Sequence, residues 1–351
     1  MDAPAVALIA GATGAAASRL VELLASEGWV VFALCRSRFP TSQKAVTFVP
    51  VDLMDPVAVA SAVADLPPVT HVVYSARAKH GEGGSESVVE NVAMLRHVLD
   101  AATAHSSLRH IHLVEGGKWY GQHLGPYTTP AREDDPRHLP PNFYFDQEDL
   151  LRARQADQCW TWSASRPNVI VDFAPGRPRN IISIVGAYAA ICRELALPLD
   201  FPGEPKQFSA LTEITDATHF ARAVRHIMTT PACANAAFNV TNGDVFRWQH
   251  LWPRIADAFG LKGGIVRPFS LAEAMRDRNA LWQGMVAKHR LRPARLEEIA
   301  LWSFADALFR QTFDVVSSTT RLRRSGFSDV IDSEEQFLAL LARYRDARIL
   351  P

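Results

Sequence analysis

Short apolar runs alternate with amphipathic stretches along the first half of the chain. The apolar runs predict strands at Val6–Ala10, Trp29–Cys35, Val46–Val51, Val69–Tyr74, His110–Val114 and Thr161–Ser165. The stretches between them predict helices at Ser18–Glu27, Ala58–Ala64, Ser87–His105 and Phe145–Asp157. Strands of about five residues separated by helices are typical of βαβ units and of a parallel sheet buried on both faces. The pattern therefore predicts an α/β protein with a Rossmann-type, doubly wound parallel sheet.

Beyond Pro167 this alternation ends. The pattern there predicts an apolar helix at Ile181–Leu197, a strand at Ala236–Asn242, and mostly helical sequence with many aromatic residues after it. We expect a smaller, mainly helical lobe, with part of this region returning to the sheet. The predicted division is a sheet domain over residues 1–175 with a returning segment at about 206–242, a lobe formed by 176–205 and 243–330, and a C-terminal helix over 331–351.

Composition narrows the class of protein. Hydrophobic residues make up 48% of the 351 residues and charged residues 21%, as in ordinary globular proteins. Lys and Arg together number 37, as do Asp and Glu, so the formal net charge is zero. A neutral chain has no global attraction to phosphate backbones or anionic membranes, which argues against nucleic-acid and membrane partners. The sequence also has no run of about 20 apolar residues that would span a bilayer.

Cysteine usage and the N-terminus indicate the compartment. The cysteines, Cys35, Cys159, Cys192 and Cys233, are far apart and form no CxxC pair. Scattered thiols of this kind are typical of a reducing compartment. The first apolar run has no basic residue before it and is broken by Gly11, so it predicts a strand rather than a signal peptide. We expect a cytoplasmic protein.

A Gly-rich turn connects the first predicted strand to the first predicted helix. It reads Gly11-Ala-Thr-Gly14-Ala-Ala-Ala17. Gly11 allows a tight turn, Gly14 lets backbone N–H groups approach a pyrophosphate at the helix N-terminus, and Ala17 allows close helix–strand packing. A helix start with small residues for packing alone is the alternative. The position of the turn within a βαβ unit favours dinucleotide binding.

The end of the second predicted strand discriminates between the nicotinamide cofactors. An NAD enzyme usually carries Asp or Glu about 20 residues after the Gly-rich turn, where it binds the ribose hydroxyls. Here Arg36 and Arg38 occupy this region without a carboxylate. Because a guanidinium pairs bidentately with a phosphate, we expect NADP, with a solvated turn as the alternative. Asp52 is expected either to accept a hydrogen bond from the adenine amino group or to cap the helix that starts near Pro56.

The sequence lacks the Tyr-x-x-x-Lys motif of ordinary short-chain dehydrogenases. In that motif the ammonium lowers the pKa of the phenol, which then acts as an acid or stabilises an oxyanion. Tyr144 stands at a predicted helix start, but the fourth residue after it is Glu148. Lys118 follows two glycines just past the predicted strand His110–Val114. We expect it either to approach Tyr144 from there or to be a solvated surface lysine.

Several segments together resemble one enzyme family. They are His112-Leu-Val-Glu-Gly-Gly-Lys-Trp-Tyr120, Asn142-Phe-Tyr-Phe-Asp-Gln-Glu-Asp149, Trp162-Ser-Ala-Ser-Arg-Pro167, Tyr188–Cys192, Ala237–Trp248 and Trp302–Asp306. The first resembles the Gly-x-Lys-x-Tyr segment of the progesterone 5β-reductase/iridoid synthase-like enzymes, and the second resembles their Asn-Phe-Tyr-x-x-x-Glu-Asp signature. The segments follow the family's order over nearly the whole chain. The chain is identified as a bacterial-type member of these atypical extended short-chain dehydrogenases/reductases.

The resemblance implies an NADPH-dependent enzyme that reduces an activated C=C bond of an enone or enal by adding hydride to the β-carbon. It assigns the family's displaced Lys and Tyr to Lys118 and Tyr144. Tyr144 would stabilise the enolate oxygen, and Lys118 would support Tyr144 and bind the nicotinamide ribose. The expected cofactor contacts are Gly11, Thr13, Gly14, Ala15, Arg36, Ser37, Asp52, Leu53, Ser75, Ala76, Lys118, Tyr144, Pro167, Ile170 and Arg177.

Aromatic residues are the expected substrate contacts: Trp119, Tyr120, Phe145, Trp302 and Phe304. Core packing is the alternative for each of them. The chain departs from the plant members at Phe145, where they usually carry a second aromatic hydroxyl, and at Arg77, in a segment where the family commonly has a Thr-Trp pair. His110 and His112 alternate along one strand without a third ligand at a recognisable spacing, so we expect satisfied strand histidines and no metal site.

Two other functions remain open. One is an NADP-dependent carbonyl reductase or dehydrogenase of the same fold. The other is a non-catalytic NADP-binding regulator, an alternative that is suggested by the missing Tyr-x-x-x-Lys motif. The expected partner is a small apolar enone or enal, and a homodimer is the assembly that we consider.

Overall fold

The computed structural model of the chain describes residues 5–36, 45–79, 86–104 and 107–351. The chain divides into two compact units. The first unit comprises Met1–Asn168, Ala217–Val240 and Ser318–Asp329, and the second comprises Val169–Asp216, Thr241–Ser317 and Val330–Pro351.

The secondary structure alternates strongly in the first half of the chain. The strands are β1 (Val6–Ala10), β2 (Val30–Cys35), β3 (Val46–Pro50), β4 (His71–Tyr74), β5 (His110–Val114), β6 (Thr161–Pro167), β7 (Ile170–Val171), β8 (Leu199–Phe201), β9 (Thr215–Asp216), β10 (Ala236–Val240) and β11 (Gly263–Val266). The helices are α1 (Ser18–Ser26), α2 (Pro56–Ala64), α3 (Val88–Thr103), α4 (Phe143–Gln155), α5 (Ile181–Glu194), α6 (Pro205–Ser209), α7 (Ala217–Thr229), α8 (Trp248–Ala258), α9 (Leu271–Ala274), α10 (Asn279–His289), α11 (Leu296–Ile299), α12 (Trp302–Phe309), α13 (Thr320–Arg324) and α14 (Ser333–Asp346). Short 3₁₀ helices form at Gly117–Tyr120 and Pro231–Cys233.

The first unit is built on a seven-stranded sheet with the order β10-β6-β5-β4-β1-β2-β3. Every neighbouring pair in it is parallel. This order reverses direction between β1 and β4, which makes that crevice the switch point at which ligands bind in doubly wound sheets. The predicted Rossmann-type fold is confirmed, and the strand predicted at Ala236–Asn242 returns to the sheet as β10.

Helices cover both faces of this sheet. On one face, α2, α3 and α4 pack in one core cluster with side chains such as Leu8 and Leu95. On the other face, α1, α7 and α13 pack with side chains such as Ile9 and Phe220. Because successive residues of a strand point to opposite faces, a strand covered on both sides is expected to be mostly apolar along its whole length. All five residues of β1 are apolar and buried.

The second unit has a core of its own and is mainly helical, as predicted. Helix α5 is buried from Ile181 to Cys192 and packs with α11, α12 and α14. Two small parallel pairs, β7 with β9 and β8 with β11, lie in the same unit. Aromatic rings fill much of the core, with Phe201 and Trp248 both packed against Phe309.

Some predicted boundaries were wrong. Residues 169–175, 206–216 and 241–242 belong to the second unit. Ser318–Asp329 belongs to the first unit because Leu322 and Phe327 pack in its core. Helix α4 begins earlier than predicted because Asn142 caps it, and the predicted end of α3 at His105 lies outside the described residues.

None of the helices formed by the described residues has the length and apolar character that a membrane span requires.

Candidate active site

The Gly-rich turn lies between β1 and α1, at the switch point of the sheet. Gly11 has a φ of +79°, in the left-handed region that glycine adopts without strain. A Cβ at this position would lie 2.7 Å from the backbone nitrogen of Ala76, which follows β4. Gly14 donates its N–H to the Gly11 carbonyl at 2.9 Å and is exposed. Position 11 therefore requires glycine both for its conformation and for the close approach of two backbones.

Helix α1 presents an N-terminus suited to an anion. Its N-cap residue, Ala17, makes no capping side-chain hydrogen bond, and its first turn holds no acidic residue. Backbone N–H groups at an N-terminus without side-chain caps carry the positive end of the helix dipole. Together with the exposed Gly14, this arrangement fits a pyrophosphate. Thr13 and Ala15 are half-buried residues of the same turn.

The ends of β2 and β3 carry residues predicted to contact the adenosine part of the cofactor. Arg36 follows β2 and is exposed, and Asp52 lies after β3 and is also exposed. The helix cap that was the alternative role for Asp52 is formed instead by Asp55, which accepts two backbone N–H groups of α2. Ser37 lies outside the described residues.

Further predicted contacts follow β3 and β4. Leu53 is buried in the core cluster that includes α2 and α3. Ser75 is half-buried, and its hydroxyl donates to the Ala10 carbonyl at 3.1 Å. Ser75 and Ala76 thus lie directly beside the Gly-rich turn.

Lys118 lies in the 3₁₀ helix Gly117–Tyr120, just after β5. Its Nζ is 2.8 Å from Glu86 Oε2, and Arg77 Nη1 is 3.0 Å from the other carboxylate oxygen of Glu86. Lys118 is therefore held in an ion pair at a partly exposed position, and its approach to Tyr144 stays a prediction. Sequence reasoning missed Glu86, which no motif indicated.

Tyr144 is the second residue of α4 and is half-buried. Its hydroxyl lies 3.4 Å from the point that a Cβ on Gly116 would occupy, and the Pro167 carbonyl oxygen lies 3.5 Å from the same point. Asn142 caps α4 by accepting the Tyr144 N–H at 3.1 Å, and its Nδ2 donates to the Lys118 carbonyl at 2.9 Å. One side chain thus joins the backbones of the two predicted catalytic residues at the carboxyl ends of β5 and β6.

The aromatic residues of this region, Trp119, Tyr120 and Phe145, are buried in a small cluster. Trp119 packs edge-on against Phe145, with ring centroids 4.7 Å apart, and the guanidinium of Arg166 lies 3.7 Å from the Trp119 ring centroid. The Tyr120 hydroxyl donates to Asn239 Oδ1 at 2.6 Å. These three residues therefore pack against one another and their neighbours, as the alternative of core packing expected. For each of them, contact with a substrate stays a prediction.

A buried cluster of Glu115, Arg166 and Glu148, called here the Glu–Arg–Glu cluster, joins β5, β6 and α4. Arg166 Nε is 2.7 Å from Glu115 Oε2, Arg166 Nη2 is 3.1 Å from Glu148 Oε2, and all three side chains are at most 1% exposed. Burial raises the pKa of Glu115 to about 8, an effect that Arg166 opposes and Glu148 increases. Sequence reasoning missed this cluster, although Glu148 at the position of the expected lysine was a signal.

The histidines of β5 form a hydrogen-bonded chain with hydroxyls of β6. His110 contacts Thr161 Oγ1 at 2.8 Å and Ser163 Oγ at 2.7 Å, and His112 contacts Ser163 Oγ and Ser165 Oγ at 2.8 Å each. Burial lowers the pKa of His110 to about 3 and holds the pKa of His112 well below its ordinary value, so both rings are neutral. The prediction of satisfied strand histidines is confirmed.

The remaining predicted site residues belong to the second unit. Ile170 lies in β7, and Arg177 follows it in a loop. Trp302 and Phe304 lie at the start of α12, where the guanidinium of Arg179 is 4.4 Å from the Phe304 ring centroid. Their roles toward a cofactor or substrate stay predictions.

Comparison with known proteins gives matches along nearly the whole chain. The family model of the PRISE-like Rossmann-fold domain matches residues 32–351. A 3-oxo-Delta(4,5)-steroid 5-beta-reductase of Arabidopsis thaliana is 33% identical over 369 residues, covering 99% of this chain and 93% of that protein. An (S)-8-oxocitronellyl enol synthase of Catharanthus roseus is 32% identical over 364 residues, covering 99% of this chain and 92% of that protein.

Solved structures share the fold at lower identity. One is a short-chain dehydrogenase/reductase superfamily protein from Agrobacterium tumefaciens with bound NAD, with a TM-score of 0.69, 16% identity and 98% of each chain covered. Another is a putative epimerase from Burkholderia cenocepacia J2315, with a TM-score of 0.68, 18% identity, and 98% of this chain and 99% of that chain covered. These structures support the fold alone. The family match and the relatives above 30% identity show that the chain belongs to the PRISE-like Rossmann-fold family.

Proposed function

We propose that the protein is an oxidoreductase that uses NADPH to reduce the C=C bond of a small apolar enone or enal. The observation that carries this proposal is the connection of Tyr144 to Lys118 through Asn142, beside Gly116 and Pro167. Both residues lie near the carboxyl ends of neighbouring strands, and ligands bind at that end of the sheet in this fold, which supports the proposal. The relatives named as a steroid 5-beta-reductase and an oxocitronellyl enol synthase support the same reaction class.

The cofactor end of the proposal rests on the Gly-rich turn. When bound, NADPH supplies the hydride that adds to the β-carbon of the substrate. The N-terminus of α1 and the exposed Gly14 would hold the pyrophosphate, and Arg36 would pair with the 2′-phosphate. The absence of space for a Cβ at Gly11 and the lack of an acidic residue in the first turn of α1 support this assignment.

The substrate end rests on Tyr144. As the β-carbon accepts hydride, negative charge develops on the carbonyl oxygen of the enone. The Tyr144 hydroxyl would donate a hydrogen bond to this oxygen, because a preorganised donor stabilises charge that forms in the transition state. Lys118 would support Tyr144 electrostatically and bind the nicotinamide ribose. The enolate carbon then takes a proton, and we propose water as its source.

Replacing Tyr144 tests the proposal. Tyr144→Phe is expected to lower kcat/KM for a simple enone about 100-fold, or ~3 kcal/mol, while the Kd for NADPH stays the same. Tyr127→Phe is the matched control because Tyr127 lies in the same aromatic cluster, stacked on Tyr120 with centroids 6.3 Å apart. Loss of NADPH absorbance with the enone measures turnover, and fluorescence titration measures binding.

The other outcomes separate the alternatives. Unchanged turnover in Tyr144→Phe would contradict the proposed role of the phenol. Faster reduction of saturated ketones than of enones would favour a carbonyl reductase. Binding of NADPH without turnover of any enone, enal or ketone would favour a regulator.

A further inference from the structure

The Glu–Arg–Glu cluster contacts both segments that carry the predicted catalytic pair. Glu115 lies three residues before Lys118, and Glu148 lies one helical turn after Tyr144 on α4. Residues one turn apart share a face of a helix, so a contact at Glu148 restrains the face that carries Tyr144. The cluster therefore reaches each partner of the pair from a different element.

Arg166 holds the turn around Lys118 on both sides. Before Lys118, its Nε donates to Glu115. After Lys118, its Nη1 donates to the Tyr120 hydroxyl at 3.2 Å, and its flat face lies 3.7 Å from the Trp119 ring centroid. A planar guanidinium fixes its partners in direction as well as distance, which a lysine ammonium does not do. Arg166 is thus a rigid link between β6 and the turn.

The two carboxylates of the cluster share one buried guanidinium. Glu148 Oε1 has a second cation, because Arg152 Nε contacts it at 2.8 Å from a more exposed position. Glu115 Oε1 is buried and receives no hydrogen bond from a donor among the described residues, and its carboxyl group lies beside that of Glu148. An ionised carboxylate in that environment is strongly disfavoured, so Glu115 holds a proton at neutral pH. The cluster is then one neutral acid beside one ion pair.

We propose that the Glu–Arg–Glu cluster positions Tyr144 and Lys118 by locking the turn that carries Lys118 to the helix that carries Tyr144. Arg166 acts through its neighbours and is a positioning residue. Glu148 takes the helix position that a lysine occupies in the Tyr-x-x-x-Lys motif, and its contact with Arg166 links that helix to β6. The inference rests on the proposed function, since it concerns the geometry of the same catalytic pair.

Ionisation of Glu115 disturbs this arrangement. The charged or titratable groups that face Glu115 are Arg166 of β6, Glu148 of α4, Tyr120 of its own turn and Arg137 of the loop before α4. Deprotonation places a second negative charge beside Glu148, and Arg166 must then serve two carboxylates. Because the pKa of Glu115 is about 8, kcat on an enone is expected to fall as the pH rises through that value. Glu115→Gln keeps the shape without the charge and is expected to remove this fall.

The experiment measures kcat, KM and the NADPH Kd of wild type, Glu115→Gln and Arg166→Lys from about pH 6 to about pH 9.5. Arg166→Lys is expected to lower kcat roughly 10- to 100-fold with less than about a threefold change in the NADPH Kd, because small displacements of reacting groups have effects of this size. Arg154→Lys is the matched control, since Arg154 lies on α4, the helix of Tyr144 and Glu148, in a surface ion pair with Asp100 at 2.7 Å. Should Arg166→Lys fail to fold, Glu148→Gln, which removes the charge that pairs with Arg166 on α4, is expected to lower kcat with the NADPH Kd unchanged and decides together with the pH profile of Glu115→Gln.

The outcomes distinguish this inference from the proposed function. If Tyr144→Phe is inactive but Glu115→Gln shows the wild-type pH profile and Arg166→Lys the wild-type kcat, the cluster has no positioning role and the proposed function stands. If Tyr144→Phe is fully active, both are overturned. A pH profile that loses its alkaline fall only in Glu115→Gln, with the NADPH Kd unchanged, supports the inference.

Discussion

The two faces of strands β5 and β6 hold their buried polar groups in different ways. One face carries the neutral chain of His110 and His112 with hydroxyls of β6. The other face carries the Glu–Arg–Glu cluster, in which two acids share one cation. The two networks are one residue apart along the same strands, because successive side chains point to opposite faces of a sheet. Ser165 belongs to the first network and Arg166 to the second.

Because one network is neutral and the other is charged, we expect the two faces to differ in how the substitution of one member and a change of pH affect stability. Loss of one member from the neutral chain leaves a single unsatisfied hydroxyl or imidazole. Loss of Arg166 from the charged cluster leaves the buried Glu148 carboxylate with only the exposed Arg152 as its cation. The histidine pKa values are lowered on folding, so their stabilising contribution is present above the ordinary histidine pKa and is lost as the pH falls below it. The pKa of Glu115 is raised, so its contribution is present in acid and is lost as the pH rises to about 8.

The largest expected effect is the loss of the shared cation. Arg166→Met is expected to lower the free energy of unfolding by about 3–5 kcal/mol, because it removes the buried guanidinium that pairs with Glu148 and contacts Glu115. Arg154→Met removes a surface ion pair and is expected to change it by less than about 1 kcal/mol. Denaturant unfolding at neutral pH, followed by circular dichroism, measures both. If the two substitutions lowered the free energy of unfolding equally, the buried ion pairs of Arg166 would contribute no more to stability than a surface ion pair.

The second effect concerns the pH dependence of stability on the charged face. Between about pH 5 and about pH 8.5 the wild-type protein is expected to lose a few kcal/mol of stability through Glu115, since one pKa unit corresponds to about 1.4 kcal/mol. Glu115→Gln cannot ionise and is expected to lose much less over the same range. Unfolding free energies at several pH values provide the test. A wild-type slope that persists in Glu115→Gln would assign the titration to another group.

The third effect concerns the neutral face. His112→Asn is expected to lower the free energy of unfolding by about 1–3 kcal/mol near pH 7.5, because a serine hydroxyl loses its partner. The difference from wild type should shrink near pH 5, where the wild-type histidine already opposes folding. His250→Asn, at an exposed position, is the control and should have little effect at either pH. A difference that grows in acid would contradict a neutral buried imidazole.

The smallest expected effect on stability lies at Asn142, which joins the backbones of Tyr144 and Lys118. Asn142→Ala removes a helix cap and is expected to cost about 1 kcal/mol. Asn142→Asp keeps an acceptor for the Tyr144 N–H but cannot donate to the Lys118 carbonyl. We therefore expect both variants to lower kcat and only Asn142→Ala to lower stability. Wild-type kcat in Asn142→Asp would show that the link to Lys118 has no catalytic importance.

The fold and the cofactor turn were largely predictable because their signals are local. Short apolar runs of strand length, mostly separated by helical stretches, predicted every strand of the seven-stranded sheet. Gly11, directly after β1, predicted the turn at the switch point. The extended end of β6 at Pro167 was missed because Arg166 interrupts the apolar pattern. Only the partners of Arg166 explain why a charged residue is buried in that strand.

The contacts of the site were not predictable because their partners are distant in sequence. Glu115 and Arg166 are 51 residues apart, and the pairing depends on which strands are neighbours and on their register. Glu86 pairs with Lys118 without any motif to indicate it. The segment Ser318–Asp329 returns to the first unit through side-chain packing, which a linear pattern does not reveal.

The most direct test of the central claim uses NADPH carrying deuterium at the transferred position of its nicotinamide. The wild-type protein is incubated with this cofactor and a simple enone, and the product is analysed by mass spectrometry and NMR. The proposed chemistry predicts a saturated carbonyl compound with deuterium on the former β-carbon, formed much more slowly by Tyr144→Phe. An allylic alcohol with deuterium on the carbinol carbon, or no product despite bound cofactor, would contradict it.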